Sequence, residues 1–271
     1  MIPRKPKIDV NSAPLIWSRI PEFAQYWNGA SFTAPHIEPH LNALVQQCRK
    51  RLQGRVPALH EEIGTFVHQE SNHYRMHSRF NDRMYAAGYE EIKKLEAEFH
   101  QQLKQFMSER SLEFNVAYCA GFENFTMYTA KYAYETALDS YENADTRASD
   151  LFLWHLAEEF EHRSICHKAF AAISGNYFMC IYGLLYAFVH FGGWTNKFVA
   201  AVMEIYRRNM TPEERRASIK RERALFWRLN RYALPRMLAI LRPYYDPARY
   251  APPPALAEAL DRYTAMAAPP I

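Results

Sequence analysis

Glutamate and histidine recur in this chain at a spacing that suits metal binding. Glu70 and His73 form one Glu-x-x-His pair, and Glu159 and His162 form a second. Residues three apart project from the same side of an α-helix, so each pair would aim a carboxylate and an imidazole at one point. Carboxylate and imidazole donors without thiolates suit iron or manganese and also accept zinc. The two pairs therefore predict a metal site held between helices.

The surroundings of both pairs argue against solvent-exposed helix faces. A single Glu-x-x-His is common in a chain with 29 acidic residues and 11 histidines. Both pairs, however, lie on stripes of apolar residues at helical spacing, where charged groups are costly unless they are paired or bind a metal. His77 and His155 lie on the same two stripes. They are predicted either to bind metal or to orient the ligands from outside.

Two more glutamates complete a pattern over four predicted helices. The chain order is Glu38, the first pair, Glu123 and the second pair. A bundle with one Glu from each of two helices, and Glu-x-x-His from each of the others, has the ligand set of ferritin-like di-iron and di-manganese proteins. We therefore predict two metal ions, with iron preferred over manganese or zinc. The predicted ligands are Glu38, Glu70, His73, His77, Glu123, His155, Glu159 and His162, and the predicted catalytic residues are Glu70, Glu123 and Glu159.

The composition predicts an all-α protein. Only 9 of the 271 residues are glycine, and long segments repeat their apolar residues every three to four positions without alternating strands. Glu38 would lie at the entrance of the first bundle helix because Pro39 follows it, and Ser149 or Asp150 would cap the fourth helix. The predicted bundle helices cover residues 39–52, 58–80, 112–138 and 148–174, with a charged crossover helix within residues 82–111.

The chain divides into four predicted parts. Residues 1–34 would wrap the bundle as irregular structure, and residues 35–175 would form the ferritin-like bundle. Residues 176–250 would add a hydrophobic helical hairpin, interrupted at Gly192 and Gly193, and basic helices packed on the bundle. Residues 251–271, rich in proline and alanine, would form a loosely attached tail.

Charge and cysteine usage bear on partners and location. The chain has a net charge of +4, but residues 204–249 contain 12 Lys/Arg and 5 Asp/Glu, a net charge of 12 − 5 = +7. Basic residues beside apolar helices suit an anionic membrane surface, although a solvated helix over residues 212–231 also explains them. No nucleic-acid-binding motif accompanies them, so no nucleic acid is expected. A polar stretch follows the basic N-terminus and four cysteines lack redox or metal spacing, which predicts a cytoplasmic protein with membrane association left open.

The segments around the ligands resemble a known family. Residues 69–81 and 154–164 resemble motifs of a bacterial family catalogued as predicted metal-dependent hydrolases, which is grouped with the ferritin-like di-metal proteins. Residues 120–126 are similar to its third-helix motif, and residues 32–38 are similar to its entrance motif. The resemblance extends over residues 30–200 and implies a bundle that binds metal.

The ligand types leave three functions open. Carboxylate-rich ligation favours oxygen activation and oxidation of a small organic, hydrophobic substrate, with an electron donor as partner. Hydrolysis by water activated between two metals is the alternative, and a non-catalytic metal-binding bundle is the second alternative. A homodimer is left open. If the apolar segment closes over the site, a tunnel from Tyr182 or Tyr186 towards Glu123 is expected.

Overall fold

The computed structural model describes residues 1–267 as helices joined by short connections, and no strand lies within that range. The predicted all-α class is confirmed. Short 3₁₀ turns cover Val10–Ser12, Leu238–Leu241 and Pro247–Arg249, and a π-helical turn covers Tyr85–Tyr89. The α-helices are α1 (Pro21–Ser31), α2 (Ala34–Arg51), α3 (Pro57–Met84), α4 (Ile92–Glu109), α5 (Leu112–Glu135), α6 (Leu138–Tyr141), α7 (Thr146–His162), α8 (Ile165–Ile173), α9 (Tyr177–Tyr206), α10 (Pro212–Met237) and α11 (Pro254–Ala267).

Four helices surround the predicted ligands. α2 packs on α3, α5 packs on α7 and α8, and α3 packs on α7. α3 and α7 run antiparallel, because His77 contacts His155 while Gln69 contacts His162. α4 connects the two helical pairs, as predicted for the crossover segment. The ferritin-like identity of this arrangement stays a prediction.

The predicted start of the first bundle helix is wrong. α2 begins at Ala34, and Pro39 lies inside it, so Glu38 is a buried helical residue and not a residue at the helix entrance. Pro39 removes one helical hydrogen bond, to the carbonyl of Pro35. The helix continues because its apolar side is fully packed: Ile37 and Leu41 are both buried.

The fourth bundle helix consists of two pieces. α7 ends at His162, and α8 resumes at Ile165 after a short break. The predicted caps Ser149 and Asp150 are wrong, because Asp145 accepts a hydrogen bond from the backbone N–H of Arg147 at the start of α7. The predicted stop is confirmed, since Gly175 has a φ of +67°, which favours glycine.

The predicted hydrophobic hairpin is wrong, since α9 is one continuous helix that includes Gly192 and Gly193. Two glycines within a helix cost about 1 kcal/mol each relative to alanine. Packing elsewhere along α9 offsets this cost. At Gly183, a third glycine of this helix, an added Cβ would lie 2.4 Å from the Cβ of Ala117 in α5. α9 also packs along α1 and α4.

Both ends of the chain differ from prediction. The N-terminal segment that was expected to be irregular contains α1, which packs on α9 and α3. The tail expected to be loosely attached contains α11, whose Leu256 and Tyr263 are fully buried. Tyr263 donates a hydrogen bond to Asp150 in α7 at 2.9 Å. An apolar side at helical spacing therefore fixes this helix to the bundle; residues 268–271 of the predicted tail lie outside the described residues.

Candidate metal centre

The eight predicted ligands converge between α2, α3, α5 and α7. All are buried except His155, whose side chain is 15% exposed. Two sets present ligand atoms within 4.8 Å of one another: Glu38 with His73 and His155, and Glu70 with Glu159 and His162. The predicted residues His77 and Glu123 belong to neither set. His77 contacts His155, and Glu123 lies 3.8 Å from the Sγ of Cys166.

A glutamine fixes the protonation of His162. Gln69 Nε2 donates to Glu161 at 2.9 Å and to the carbonyl of Ile2 at 3.2 Å, so Gln69 Oε1 is left as an acceptor. His162 Nε2 lies 3.2 Å from that oxygen and is therefore the donor. The other nitrogen, Nδ1, lies 2.8 Å from Glu70 Oε1 without forming a hydrogen bond. In the neutral imidazole, a lone pair thus faces a carboxylate.

His73 has the same arrangement with another partner. Its Nε2 lies 2.9 Å from Oε2 of Glu158, a carboxylate that only accepts when ionised, so Nε2 is the donor. Its Nδ1 has no hydrogen-bond partner and lies 3.6 Å from Glu159 and 3.9 Å from Glu70. Arg4 holds Glu158 in place through its backbone N–H at 3.2 Å and its guanidinium at 3.0 Å.

A chain of hydrogen bonds assigns the protons of His155. Asn81 Nδ2 donates to the Ser31 carbonyl at 3.3 Å, so Asn81 Oδ1 accepts from the Ser31 hydroxyl at 2.7 Å. The Ser31 oxygen accepts from His77 Nδ1 at 2.8 Å, and His77 Nε2 therefore accepts from His155 Nδ1 at 2.7 Å. His155 Nε2 is then unprotonated. It lies 3.0 Å from Glu159 and 3.4 Å from Glu38.

In their neutral forms, all three histidines would consequently direct an unprotonated nitrogen at carboxylate oxygens. A lone pair facing an anion is repulsive unless a positive charge lies between them, and metal-bound histidines characteristically donate their outer N–H to such partners. Several inward-facing atoms of this cluster are buried and have no hydrogen-bond partner among the described residues: Glu38 Oε2, both oxygens of Glu70, Glu123 Oε2, Glu159 Oε2, His73 Nδ1 and His162 Nδ1. Unsatisfied buried groups of this kind are rare in proteins. They fit bound cations.

The electrostatics of the cluster point the same way. Burial raises the pKa of Glu38 well above its usual range, and the carboxylates of Glu70 and Glu159 raise it further. Burial opposes protonation of His73, but its hydrogen bond to Glu158 and the nearby carboxylates of Glu159 and Glu70 raise its pKa to about 9. The cluster therefore attracts positive charge, which protons or metal ions can supply. Its oxygen and imidazole donors suit iron, manganese or zinc.

Apart from His77, sequence reasoning missed the residues that orient the histidines. Glu158 is fully buried and pairs with His73 and with Arg4, 154 residues away. No local pattern marks Arg4 or Ser31, because their contacts are made only by the tertiary fold. Gln69 could have been found, since it directly precedes the predicted ligand Glu70.

An apolar pocket opens onto one side of the cluster. Its volume is about 630 Å³, counting the space at its mouth, and its polar floor consists of Glu38, His77, His155 and Glu159. Thr126 and Thr129 also line it, but their hydroxyls donate to backbone carbonyls within α5. The apolar walls include Trp27, Phe122, Phe125, Phe152, Leu156 and Phe191.

A groove between α9 and α10 adjoins this pocket. The two cavities share Tyr26, Phe125, Thr129 and Thr195 as lining residues. The groove is lined further along by Val189 of α9 and by Phe226 and Leu234 of α10, each of which is exposed on the surface. The inner pocket thus lies next to an apolar opening at the α9–α10 surface.

The tunnel expected from Tyr182 or Tyr186 towards Glu123 is wrong. Both tyrosines pack against Phe114, with ring centroids 5.7 and 5.3 Å away, and neither lines the pocket. The reason is the close approach of α9 to α5 at Gly183, which leaves no space between the helices there.

A buried carboxylate–imidazole cluster within an all-α fold defines a metal-binding class of protein. The chain belongs to the family of predicted metal-dependent hydrolases, whose family model matches residues 2–250. The matched range contains every residue of the cluster and ends before α11. Comparisons with curated proteins and with solved structures gave no match.

Proposed function

We propose that this protein is a metal-dependent hydrolase whose centre is held by Glu38, Glu70, Glu159 and three histidines. The observation that carries the proposal is the geometry of three histidines: the outer nitrogens of His73, His155 and His162 have hydrogen-bond partners outside the two ligand sets, and the inner nitrogens face carboxylates. Membership in the metal-dependent hydrolase family supports the reaction class. A bound divalent cation would polarise a carbonyl or phosphoryl oxygen of the substrate and lower the pKa of a coordinated water.

The protein's own groups take distinct roles in this proposal. Among the predicted catalytic carboxylates only Glu159 lines the pocket, so Glu70 and Glu123 act behind it as ligands or charge partners. Glu38 also lines the pocket, and its Oε2 has no hydrogen-bond partner among the described residues. In this proposal a Glu38 oxygen that is not bound to the metal would accept a proton from water at the pocket floor.

The pocket supports a substrate class. Its threonine hydroxyls are committed to backbone carbonyls, so polar recognition is concentrated at the floor. Sites of this kind bind ligands through apolar area and a few placed polar groups. The proposed substrate is therefore an ester or related compound with one hydrolysable group and an apolar acyl or aromatic body.

Metal content and ester cleavage test the proposal together. Protein purified without chelator should contain iron, manganese or zinc by mass spectrometry, and Glu70→Ala and His162→Ala should lose it. His40→Ala is the matched control, because His40 is a buried histidine that belongs to neither ligand set. Metal retained at native stoichiometry in both site variants would refute the ligand assignment.

Activity is measured on p-nitrophenyl esters of increasing acyl length with each metal. We expect cleavage that requires metal and improves from acetate to octanoate. Oxygen activation, which the ligand types favoured, is measured in parallel as oxygen uptake by the reduced iron-loaded protein. Oxygen consumption with no ester cleavage under any metal would reverse the assignment, and metal binding with neither reaction would favour the non-catalytic bundle.

A further inference from the structure

One side of α9 exposes an apolar stripe. Phe178, Tyr182, Leu185 and Val189 follow one another at spacings of four, three and four, so they share a helix face. Their exposed fractions are 81%, 48%, 55% and 71%. Contiguous exposed apolar surface of this kind marks interaction sites in soluble domains.

A second apolar stripe lies beside the first. Trp227, Leu234, Leu238 and Leu241 are exposed at spacings of seven, four and three along α10 and the turn after it. The stripes are adjacent, because Leu234 and Val189 line the same groove and the Tyr177 hydroxyl donates to the Leu241 carbonyl at 2.6 Å. We call the two stripes together the docking face: Phe178, Tyr182, Leu185, Val189, Trp227, Leu234, Leu238 and Leu241.

Unpaired cations continue the docking face along α10. Of the 12 basic residues within 204–249, six form ion pairs with carboxylates: Arg207, Arg208, Arg215, Arg221, Arg228 and Arg249. Of the other six, Arg216, Lys220, Arg223 and Arg231 extend the line of Trp227 at spacings of four, three, four and four. These four are exposed, and no carboxylate of the described residues lies within 4.0 Å of them. Four of the six basic residues of this region without an ion pair among the described residues therefore lie on one face of α10.

The opposite side of α9 is fixed to the protein. Gly29 and Gly183 admit close contacts with Val199 and Ala117, where an added Cβ would lie 2.7 and 2.4 Å from the nearest atoms. Within the described residues, α9 is the one helix long and apolar enough to cross a membrane, but its other side is committed to α1, α4 and α5. A helix held in this way cannot cross a membrane without unpacking, and only its exposed side is available for a contact.

We propose that the docking face binds the surface of membranes that contain anionic phospholipids, with α9 and α10 parallel to the membrane plane. Apolar residues beside lysine and arginine are the composition of interfacial helices, and tryptophan and tyrosine favour the headgroup level. A second copy of the chain fits less well, because a two-fold contact pairs the face with itself, and neither the docking face nor its four cations include a carboxylate to neutralise them. The groove at Val189 and Leu234 would then open towards lipid; this role in substrate access rests on the proposed function, whereas binding does not.

Vesicle sedimentation tests the charge contribution without any catalytic assay. The full chain should bind vesicles of phosphatidylcholine with 30% phosphatidylglycerol and bind phosphatidylcholine vesicles far more weakly. The triple variant Arg216→Gln, Lys220→Gln, Arg223→Gln should lower the partition coefficient by roughly two orders of magnitude, since each cation contributes about a fivefold effect near an anionic surface. The matched control removes the same charge from exposed positions of α3, a helix that does not pack on α9 or α10, through Arg75→Gln, Arg79→Gln and Arg83→Gln. It should bind with less than a tenfold change.

Leu185→Ser tests the apolar contribution, with Ile16→Ser as control because Ile16 has a similar exposed fraction, 44% against 55%. Leu185→Ser should weaken vesicle binding severalfold, whereas Ile16→Ser should not. Equal effects of the paired variants, or no binding to anionic vesicles by the native chain, would overturn the proposal. A native dimer in solution that Leu185→Ser converts to monomer, without vesicle binding, would assign the face to self-association. None of these residues contacts the metal cluster, so failure here leaves the hydrolase proposal to its own test.

Discussion

Replacing Glu158 by glutamine should weaken metal binding although Glu158 is not a predicted ligand. Burial opposes ionisation of this carboxyl, but hydrogen bonds from His73 and other donors hold its pKa below the usual value. Its two oxygens accept from His73 at 2.9 Å and from Arg4 at 3.0 Å. A glutamine has one acceptor oxygen and one NH₂ group, so one of these buried donors would face another donor. Losing such an acceptor costs about 1–3 kcal/mol.

Part of that cost should appear as a weaker free energy of metal binding. Without an anionic partner at Nε2, the Nδ1 atom of His73 is a weaker metal ligand and its ring is less firmly oriented. Changes of this kind reduce metal affinity about 10- to 100-fold. That factor equals about 1.4–2.7 kcal/mol at 1.36 kcal/mol per tenfold change.

Competition with a chromophoric chelator measures this affinity, and thermal unfolding of chelated protein measures stability separately. Glu96→Gln is the matched control: Glu96 is a buried carboxylate that lies 3.1 Å from His36 Nε2, away from the cluster. Both variants should lower stability, but only Glu158→Gln should release metal. A folded Glu158→Gln protein with native metal affinity would refute the argument that outer partners fix the ligands.

Three further outcomes follow from the packing and charge of the protein. Gly183→Ala should destabilise the fold by about 1–3 kcal/mol through overpacking against Ala117. Gly192→Ala should stabilise it by about 0.5–1 kcal/mol, because an added Cβ there meets no atom within 4 Å. Urea unfolding measures both changes. The pKa of Glu22 is below its ordinary 4.5 because two hydrogen bonds from Arg221, each 2.8 Å long, outweigh burial. This stabilisation is therefore full above pH 4.5 and is lost as the pH falls through the lower folded pKa. Glu22→Gln should cost about 1–3 kcal/mol at pH 7 and should remove that loss from the pH profile of stability. Finally, a divalent metal at 100 times its Kd should stabilise the protein by about 2.7 kcal/mol, and a chelator should reverse the rise in Tm.

The centre of the fold was predictable because its signals are local. Glutamate and histidine on apolar stripes required buried helices, and the antiparallel arrangement of the helices placed His77 beside His155. The helices themselves follow from periodicity and from caps such as Ser111, which accepts from the Phe114 backbone. Residues at helical spacing within single helices could therefore be predicted to converge, and the structure brings them together.

The errors arose where tertiary packing overrides a local preference. Pro39 and the pair Gly192–Gly193 each predict an interruption, yet α2 and α9 continue through them because their apolar sides are buried along neighbouring helices. The tail was misjudged for the same reason, since Tyr263 packs and donates to Asp150. The presence of proline or glycine indicates the free-energy cost of helix formation at one position. It does not indicate how much apolar surface the rest of the helix buries.

Residues of the N-terminal segment make contacts that orient the histidines of the cluster. The sequence predicts the ligands, but the nitrogen that each histidine directs at the cluster depends on partners elsewhere in the chain. Arg4 acts on His73 through Glu158, and Ser31 acts on His155 through His77. Two of the three histidines are thus oriented by residues 1–34, the part that was expected only to wrap the bundle. Because an imidazole with the wrong tautomer cannot bind a cation at the inner nitrogen, the N-terminal segment contributes to the proposed metal centre and does more than wrap the bundle.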